Sequence, residues 1–305
     1  MRIETTLIFV PFFCLLASCI RRNEKNDESY ISGNTKIVAD ESFRPIIEDE
    51  LYIFENTYTT AKLNITYQPE NSLLRQLLND SVKVVVMSRK LNSNESRTFK
   101  KKNIKIRTTR FATDGIALIT HRSNLDSTVT VQEIINIMQG EKGVKIKGLV
   151  FDNPNSGTVR YLMDLAHVKL LPKEGVYALK SNPEVIKYVY NNPGTIGVIG
   201  VNWMEQPDVA LEKQVAELKI MGVKNLPGNI GSDNFYQPDQ TNLALGLYPL
   251  TRDLFIINCQ GGPGLGNGFA SFLAGEQGQR IVLKSGLLPD KIPPREVIIR
   301  KKISK

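Results

Sequence analysis

The sequence predicts an α/β fold, and three stretches carry that prediction. In the first, the apolar run Leu149-Val150-Phe151 enters the turn-forming cluster Asp152 to Asn155. From Ser156 a helical pattern follows, with Val159, Leu162, Met163 and Ala166 on one face. The second repeats that order: Lys36 to Ala39 is a short strand, Asp40 to Pro45 a polar turn, and a helix follows to about Asn56. Its apolar face is Ile46, Ile47, Leu51 and Phe54, and Pro45 suits a first helical turn. The third is Val82 to Met87, a near-continuous apolar run of the kind found in strands buried on both faces.

The remaining elements follow in order. Lys62 to Tyr67 reads as a strand and Asn71 to Leu78 as a helix with Leu73, Leu74, Leu77 and Leu78 apolar. Ile104 to Arg110 and Ile116 to Thr120 read as two strands separated by Asp114-Gly115. Thr130 to Met138 is a helix stopped by Gly140, and Pro183 to Asn191 a helix stopped by Asn192-Pro193-Gly194. Thr195 to Val201, Val215 to Gly222 and Leu254 to Ile257 read as strands. The GGPGLGNG run from Gly261 lacks the Lys-Ser/Thr ending of a phosphate-binding loop and reads as a connection. A last helix covers Phe269 to Leu273 and Gln277 to Ser285, and Val297 to Ile299 is a candidate closing strand.

At 305 residues and a formal charge of +8, the chain has room for a sizeable core, and its cations are spread apart from the runs Lys100–Lys102 and Arg300–Lys302. A nucleic-acid binder would cluster them on one element with interleaved aromatics, so that class is set aside. Cys14, Cys19 and Cys259 build no internal disulfide framework and, with the isolated His121 and His167, no metal-ligand spacing. No cofactor or metal is expected. Arg2, an apolar run from Leu7 to Leu16 and Ala17-Ser18-Cys19 have the layout of a secretory signal, too short for a spanning helix of ~20 residues. Leu16-Ala17-Ser18-Cys19 resembles the lipobox of bacterial lipoproteins, which implies that Cys19 carries a lipid and begins the mature chain. Several acyl chains, at ~0.8 kcal/mol for each buried CH₂, would hold it on a membrane.

Ser156-Gly157-Thr158 stands where a strand turns into a helix. The first helical turn has backbone N–H groups without intrahelical partners, and its dipole end is positive. Gly157 lets a ligand approach the backbone. With two hydroxyls and the nearby Arg160, the stretch describes an anion cradle. An ordinary helix cap would use the same residue types. The Ser42 turn and Ser88-Arg89 also lie at strand ends, where open α/β sheets bind ligands.

In order, KIVADESFRPI, VVVMSRKL, ATDGIALI, VTVQEIINIMQGE, NSGTVRYL, GTIGVIGV, YPLTRDLFIIN and FASFLAGEQGQRIVLKSGLLP resemble the substrate-binding lipoproteins of bacterial phosphate ABC transporters, over about residues 35–289. The resemblance implies a two-lobed periplasmic-binding-protein clamshell of type II, with mixed sheets flanked by helices. Strands would cross between lobes near 112–119 and 247–256. Residues 1–18 would be the signal peptide and 19–34 a tether. Lobe 1 would be 35–113 plus 250–305, and lobe 2 would be 114–249. The anion would lie between lobes. Ser42 and Phe43 match the first binding turn, Ser72 the second, Ser88 and Arg89 the third, and Ser156, Gly157 and Thr158 the fourth. Arg160 is a further available cation and Asp114 an available carboxylate.

The chain departs from that pattern at Asp40 and Glu41, where the family usually carries small hydroxyl residues. Asp152 stands where some members have arginine, and Arg89 where some have aspartate. These changes add negative charge to the cleft. The implied function is a lipid-anchored extracytoplasmic receptor that captures inorganic phosphate and delivers it to ABC transporter permease subunits. It would stand on the outer or periplasmic side of a bacterial membrane. The alternative is an envelope adaptor on the same fold that binds another ligand or none. A hydrolase with Ser156 as nucleophile lacks its base: His167 is eleven positions on, about three helical turns away, and no GxSxG elbow is present. An enzyme is therefore not expected.

Overall fold

A computed structural model describes residues 29–141 and 148–293. The expected signal segment, Cys19 and the candidate strand at Val297 lie outside the described residues. The chain begins with β1 (Gly33–Asp40), a 3₁₀ turn at Glu41–Phe43, α1 (Arg44–Thr57), β2 (Ala61–Gln68), α2 (Glu70–Leu78), β3 (Val84–Met87) and α3 (Ser93–Lys101). It continues through β4 (Arg107–His121), β5 (Thr128–Thr130), α4 (Val131–Met138), β6 (Leu149–Phe151), α5 (Gly157–Leu165), β7 (Val176–Ala178), α6 (Asn182–Asn191) and β8 (Ile196–Gly200). Then come α7 (Asn202–Glu205), a 3₁₀ turn at Val209–Leu211, α8 (Glu212–Ala216), β9 (Leu218–Ile220), β10 (Gly222–Lys224) and α9 (Gln240–Ala244). The described chain closes with β11 (Thr251–Asn258), α10 (Leu265–Leu273), α11 (Glu276–Lys284) and β12 (Leu288–Pro289).

The main sheet runs β2-β1-β3-β11-β4-β8-β6-β7. β1 is parallel to both β2 and β3, and β6 is parallel to both β7 and β8, because helices cross over between those strands. β11 is antiparallel to β3 and β4, so the sheet is mixed. β4 joins its two halves. Arg107 to Gly115 pair with β11, and Ile116 to Ile119 pair with β8.

Apolar packing follows the helical spacing. Ile46, Ile47 and Phe54 of α1 bury against the first half of the sheet, and Phe54 meets Phe269 and Phe272 of α10 edge-on at 5.3 Å each. On the opposite face Leu73, Leu77 and Phe99 cover Val38, Val85 and Met87. In the second half, Ile134 and Leu162 cover Leu149, Phe151 and Val198, while Val185, Ile186 and Val189 of α6 cover Val150 and Ile199. The two-lobed fold expected of the chain is therefore present. Among the described residues no helix is long and apolar enough to cross a membrane.

Local expectations differ at four places. The two strands around Asp114-Gly115 are one strand, β4. Asp114 is buried in an ion pair, and Gly115 admits Pro238, whose Cβ would lie 2.5 Å from an added Cβ. The GGPGLGNG connection is shorter than read, because α10 already begins at Leu265. Gly266 lets that helix lie against Val84 and Gln260, and Gly268 lets the Tyr30 carbonyl pass. The expected last helix is two, broken between Leu273 and Glu276. The expected strand from Val215 begins as α8 and continues as two short strands.

Candidate functional site

The site is built from two strand–turn–helix units that face each other. After β1, the Asp40 carboxylate caps its own turn, with Oδ1 accepting from the Ser42 N–H at 3.0 Å. Trp203 of α7 donates from Nε1 to the Ser42 carbonyl at 3.0 Å and holds that turn from the far side. After β6, Ser156 caps α5: its Oγ accepts from the Val159 N–H at 3.2 Å and donates to Asp152 Oδ1 at 2.7 Å.

Gly157, one residue into α5, has an N–H that the helix itself cannot use. It donates across the interface to Asp40 Oδ2 at 3.1 Å. The next hydroxyl, Thr158 Oγ1, accepts from Arg252 Nη1 at 2.8 Å and lies 3.3 Å from Ser42 Oγ. Ser42 Oγ also donates to Asp152 Oδ2 at 3.3 Å. Arg252 comes from β11, pairs with Asp114 at 2.9 Å and stacks its guanidinium 4.6 Å above the Phe43 ring. An added Cβ on Gly157 would lie within 2.7–2.9 Å of Asp40, Glu70 and Ser88 oxygens. Glycine is thus needed there for close approach.

A second cluster adjoins the first. Glu70, at the start of α2, is almost fully buried. It accepts from Arg160 Nε at 2.6 Å, Arg89 Nε at 3.2 Å and Ser88 Oγ at 3.0 Å. Arg160 also donates to Ser88 Oγ at 3.0 Å, and Arg89 pairs bidentately with Glu95 at 2.8 and 2.9 Å. On the other flank Asn182, at the start of α6, donates to Glu41 and to Asp152.

Four buried carboxylates, with the half-buried Glu41 beside them, thus meet three guanidinium groups. Burial, reinforced by the charges of Glu70 and Asp152, pushes the Asp40 carboxyl up to about 7 despite Arg252. Burial and the charge of Asp152 push Glu41 up to about 7 as well, and burial raises Asp152. The cluster is therefore a proton-holding one near neutral pH. Among the described residues no group of three or more His, Cys, Asp or Glu side chains is placed to hold a metal ion.

Of the sequence candidates, Ser42, Phe43, Ser88, Asp114, Ser156, Gly157, Thr158 and Arg160 come together, with Arg89 at the edge. Ser72 does not join them: its Oγ accepts from Arg75 of the same helix at 3.3 Å, and Asn71 makes the cross-contact instead, to Asn155. Arg252, Glu70, Asn182 and Trp203 were not foreseen. Arg252 had a signal, since it shares a strand face with the buried Leu254 and Ile256. Glu70 had none beyond the usual acidic first turn of a helix.

A family model for a PBP superfamily domain matches residues 25–277. Among solved structures the chain is similar to a candidate phosphate ABC transporter substrate-binding protein from Clostridium perfringens, solved with bound phosphate. Identity is 20%, the TM-score is 0.67, and coverage is 85% of this chain and 100% of that one. It is also similar to an ABC-type phosphate transport receptor from Vibrio cholerae, at 16% identity and TM-score 0.62 over 84% of this chain and 100% of that one. The CcmR regulatory domain of Synechocystis PCC6803, in complex with 2-PG, has the same fold at 14% identity and TM-score 0.53, over 79% and 96% of the two chains. A search of curated proteins gives no match.

Proposed function

The chain belongs to the periplasmic-binding-protein superfamily, and from that premise we propose that it is an extracytoplasmic solute-binding protein that captures inorganic phosphate for an ABC transporter. One observation carries the reading. The Gly157 amide, the Ser42 and Thr158 hydroxyls and the Arg252 guanidinium come together from both halves of the fold, with the amide already on a carboxylate, that of Asp40. That set is the chemistry of oxyanion recognition. The bound phosphate of the Clostridium neighbour supports phosphate as the ligand. In this reading residues 35–113 and 250–305 form lobe 1 and 114–249 lobe 2. Cys19 carries the lipid that keeps the receptor beside its permease.

Titration calorimetry with phosphate and with sulfate tests it. Phosphate carries a proton near neutral pH that a cleft carboxylate accepts, whereas sulfate presents only acceptors to the same carboxylate. Phosphate is expected to bind and sulfate to bind far more weakly. Thr158→Val should weaken phosphate by roughly ten- to a hundredfold, the share of one hydrogen bond to a charged group. For the anchor, Cys19→Ser should move the protein out of the membrane fraction. A second reading is favoured by the Asp40 carboxylate on the Gly157 amide: an adaptor whose cleft stays closed. Absence of binding by either anion would select it.

A further inference from the structure

Resting on the receptor reading, we propose that Asp40 is a built-in ligand of the anion cradle, which an incoming oxyanion must displace and which must take up a proton to let it in.

The geometry makes the case. Asp40 divides its carboxylate between two tasks. Oδ1 caps its own turn, and Oδ2 takes the Gly157 N–H, a backbone donor that α5 presents to the facing turn. An oxyanion seated on that amide and on Thr158 would need the space and the hydrogen bond that Oδ2 now has. Among the described residues around the cradle, its charge would also find no uncommitted guanidinium. Arg252 is paired with Asp114, Arg160 with Glu70 and Asp164, and Arg89 with Glu70 and Glu95. An added anion in a buried site of this kind needs a compensating positive charge. The nearest source is a proton on an acid already under strain from its neighbours.

The groups around Asp40 identify which acid that is. Glu41 and Ser42 face it from its own turn, Asp152 and the Gly157 amide from the β6–α5 unit, Glu70 from α2, and Arg252 from β11. Three acids and one guanidinium therefore surround the carboxylate. Burial, with the charges of Glu70 and Asp152, puts its titration at about 7, far above an exposed aspartate. Above that pH the ionised carboxylate competes for the amide. Below it the neutral acid is a weaker acceptor and no longer repels the incoming anion. Glu70 is tied to two arginines and a serine and cannot leave its place as cheaply. Asp152 has Ser156, Ser42 and Asn182 as donors and does not lie on the helix amide.

The test compares phosphate binding by the full chain and by Asp40→Asn and Asp40→Ser, using calorimetry at pH 5.5 and pH 8 in buffers of different ionisation enthalpy. The titration of phosphate itself is common to all three proteins, so the difference between them isolates Asp40. Both variants should bind about tenfold or more tightly than wild type at pH 8, the share of one charge-assisted bond. The gap should close at pH 5.5. Wild type should take up about one proton more than the variants at pH 8, by the linkage of ligand and proton binding. Unfolding midpoints show whether the variants are folded, and two substitutions keep one misfolded protein from deciding the matter. Binding by the variants but not by wild type would also uphold the proposal. Equal affinity at both pH values would overturn it while leaving the receptor reading intact. Weaker binding by the variants would overturn it by making Asp40 a contact of the ligand. No binding by any of the three would overturn both.

Discussion

The two turns that meet at the centre of the molecule use the same device unequally. Each has an aspartate with one oxygen on its own turn and the other reaching across. Asp40 gives its outer oxygen to a backbone N–H at a helix start, at 3.1 Å. Asp152 gives its outer oxygen to two side chains, Ser42 and Asn182, each at 3.3 Å. A backbone donor at the positive end of a helix is fixed in place, and side-chain donors can turn away. The closed arrangement therefore depends more on Asp40 than on Asp152, and more on the glycine that admits it than on the serines beside it.

The largest expected disturbance to that balance is Arg252→Ala. It strands Asp114 in the interior without its cation, which costs ~3–5 kcal/mol for a broken buried pair. Denaturant midpoints should fall accordingly, and Arg252→Lys should recover only part of the loss, since it cannot serve Asp114 and Thr158 together. Next is Gly157→Ala. Its methyl group would meet three side-chain oxygens, so the turns are expected to part, at roughly 1–3 kcal/mol. A larger radius of gyration by X-ray scattering would show the parting, and an unchanged radius would mean that the side chains yield instead.

A smaller effect comes from pH. Asp40 and Glu41 titrate at about 7 in the fold, against ordinary values of 3.8 and 4.5. The folded state then holds more protons than the unfolded one across that interval. Their contribution to stability is full below pH 4 and is lost as pH rises through 7. Glu50, buried with neither carboxylate oxygen hydrogen-bonded, is pushed up to about 9 and extends the loss further. Melting temperature should fall between pH 5 and 9, by about 2–4 °C for each kcal/mol. Glu50→Gln should flatten the alkaline part of the curve. The smallest difference separates the serines. Ser156→Ala removes a helix cap, at about 1 kcal/mol, and Ser42→Ala removes only long bonds, at about 0.5 kcal/mol. A larger loss at Ser42 would show that the bonds across the interface outweigh the cap.

Much of this was readable from local pattern. Strands that end in polar turns before an apolar helical face placed β1 with α1 and β6 with α5, and the turn residues Ser42, Gly157 and Thr158 came with them. What stayed hidden depends on distance along the chain. Arg252 meets Thr158 across 94 positions, and Glu70 meets Arg160 across 90. Neither contact has a periodic signature. β4 was misread for a related reason. Asp114 and Gly115 interrupt the apolar pattern between the two runs, and their place in one strand is set by pairing with Thr251 and Arg252, far along the chain.

The passage of the chain beneath α10 has a mechanical consequence. The Tyr30 carbonyl runs against Gly268, and the Gly33 N–H is bonded to Thr60 before β1 enters the sheet beside β2. A pull on the N-terminal end is therefore borne by α10 and by the parallel ladder of the first half of the sheet. It reaches the second half through β4 and β11 and through the side-chain bonds between the two turns. A leash fastened there would load the half of the sheet that carries Asp40 before the half that carries Gly157. The bond between Asp40 and Gly157 spans the two halves, so it would carry part of whatever load passes from one to the other.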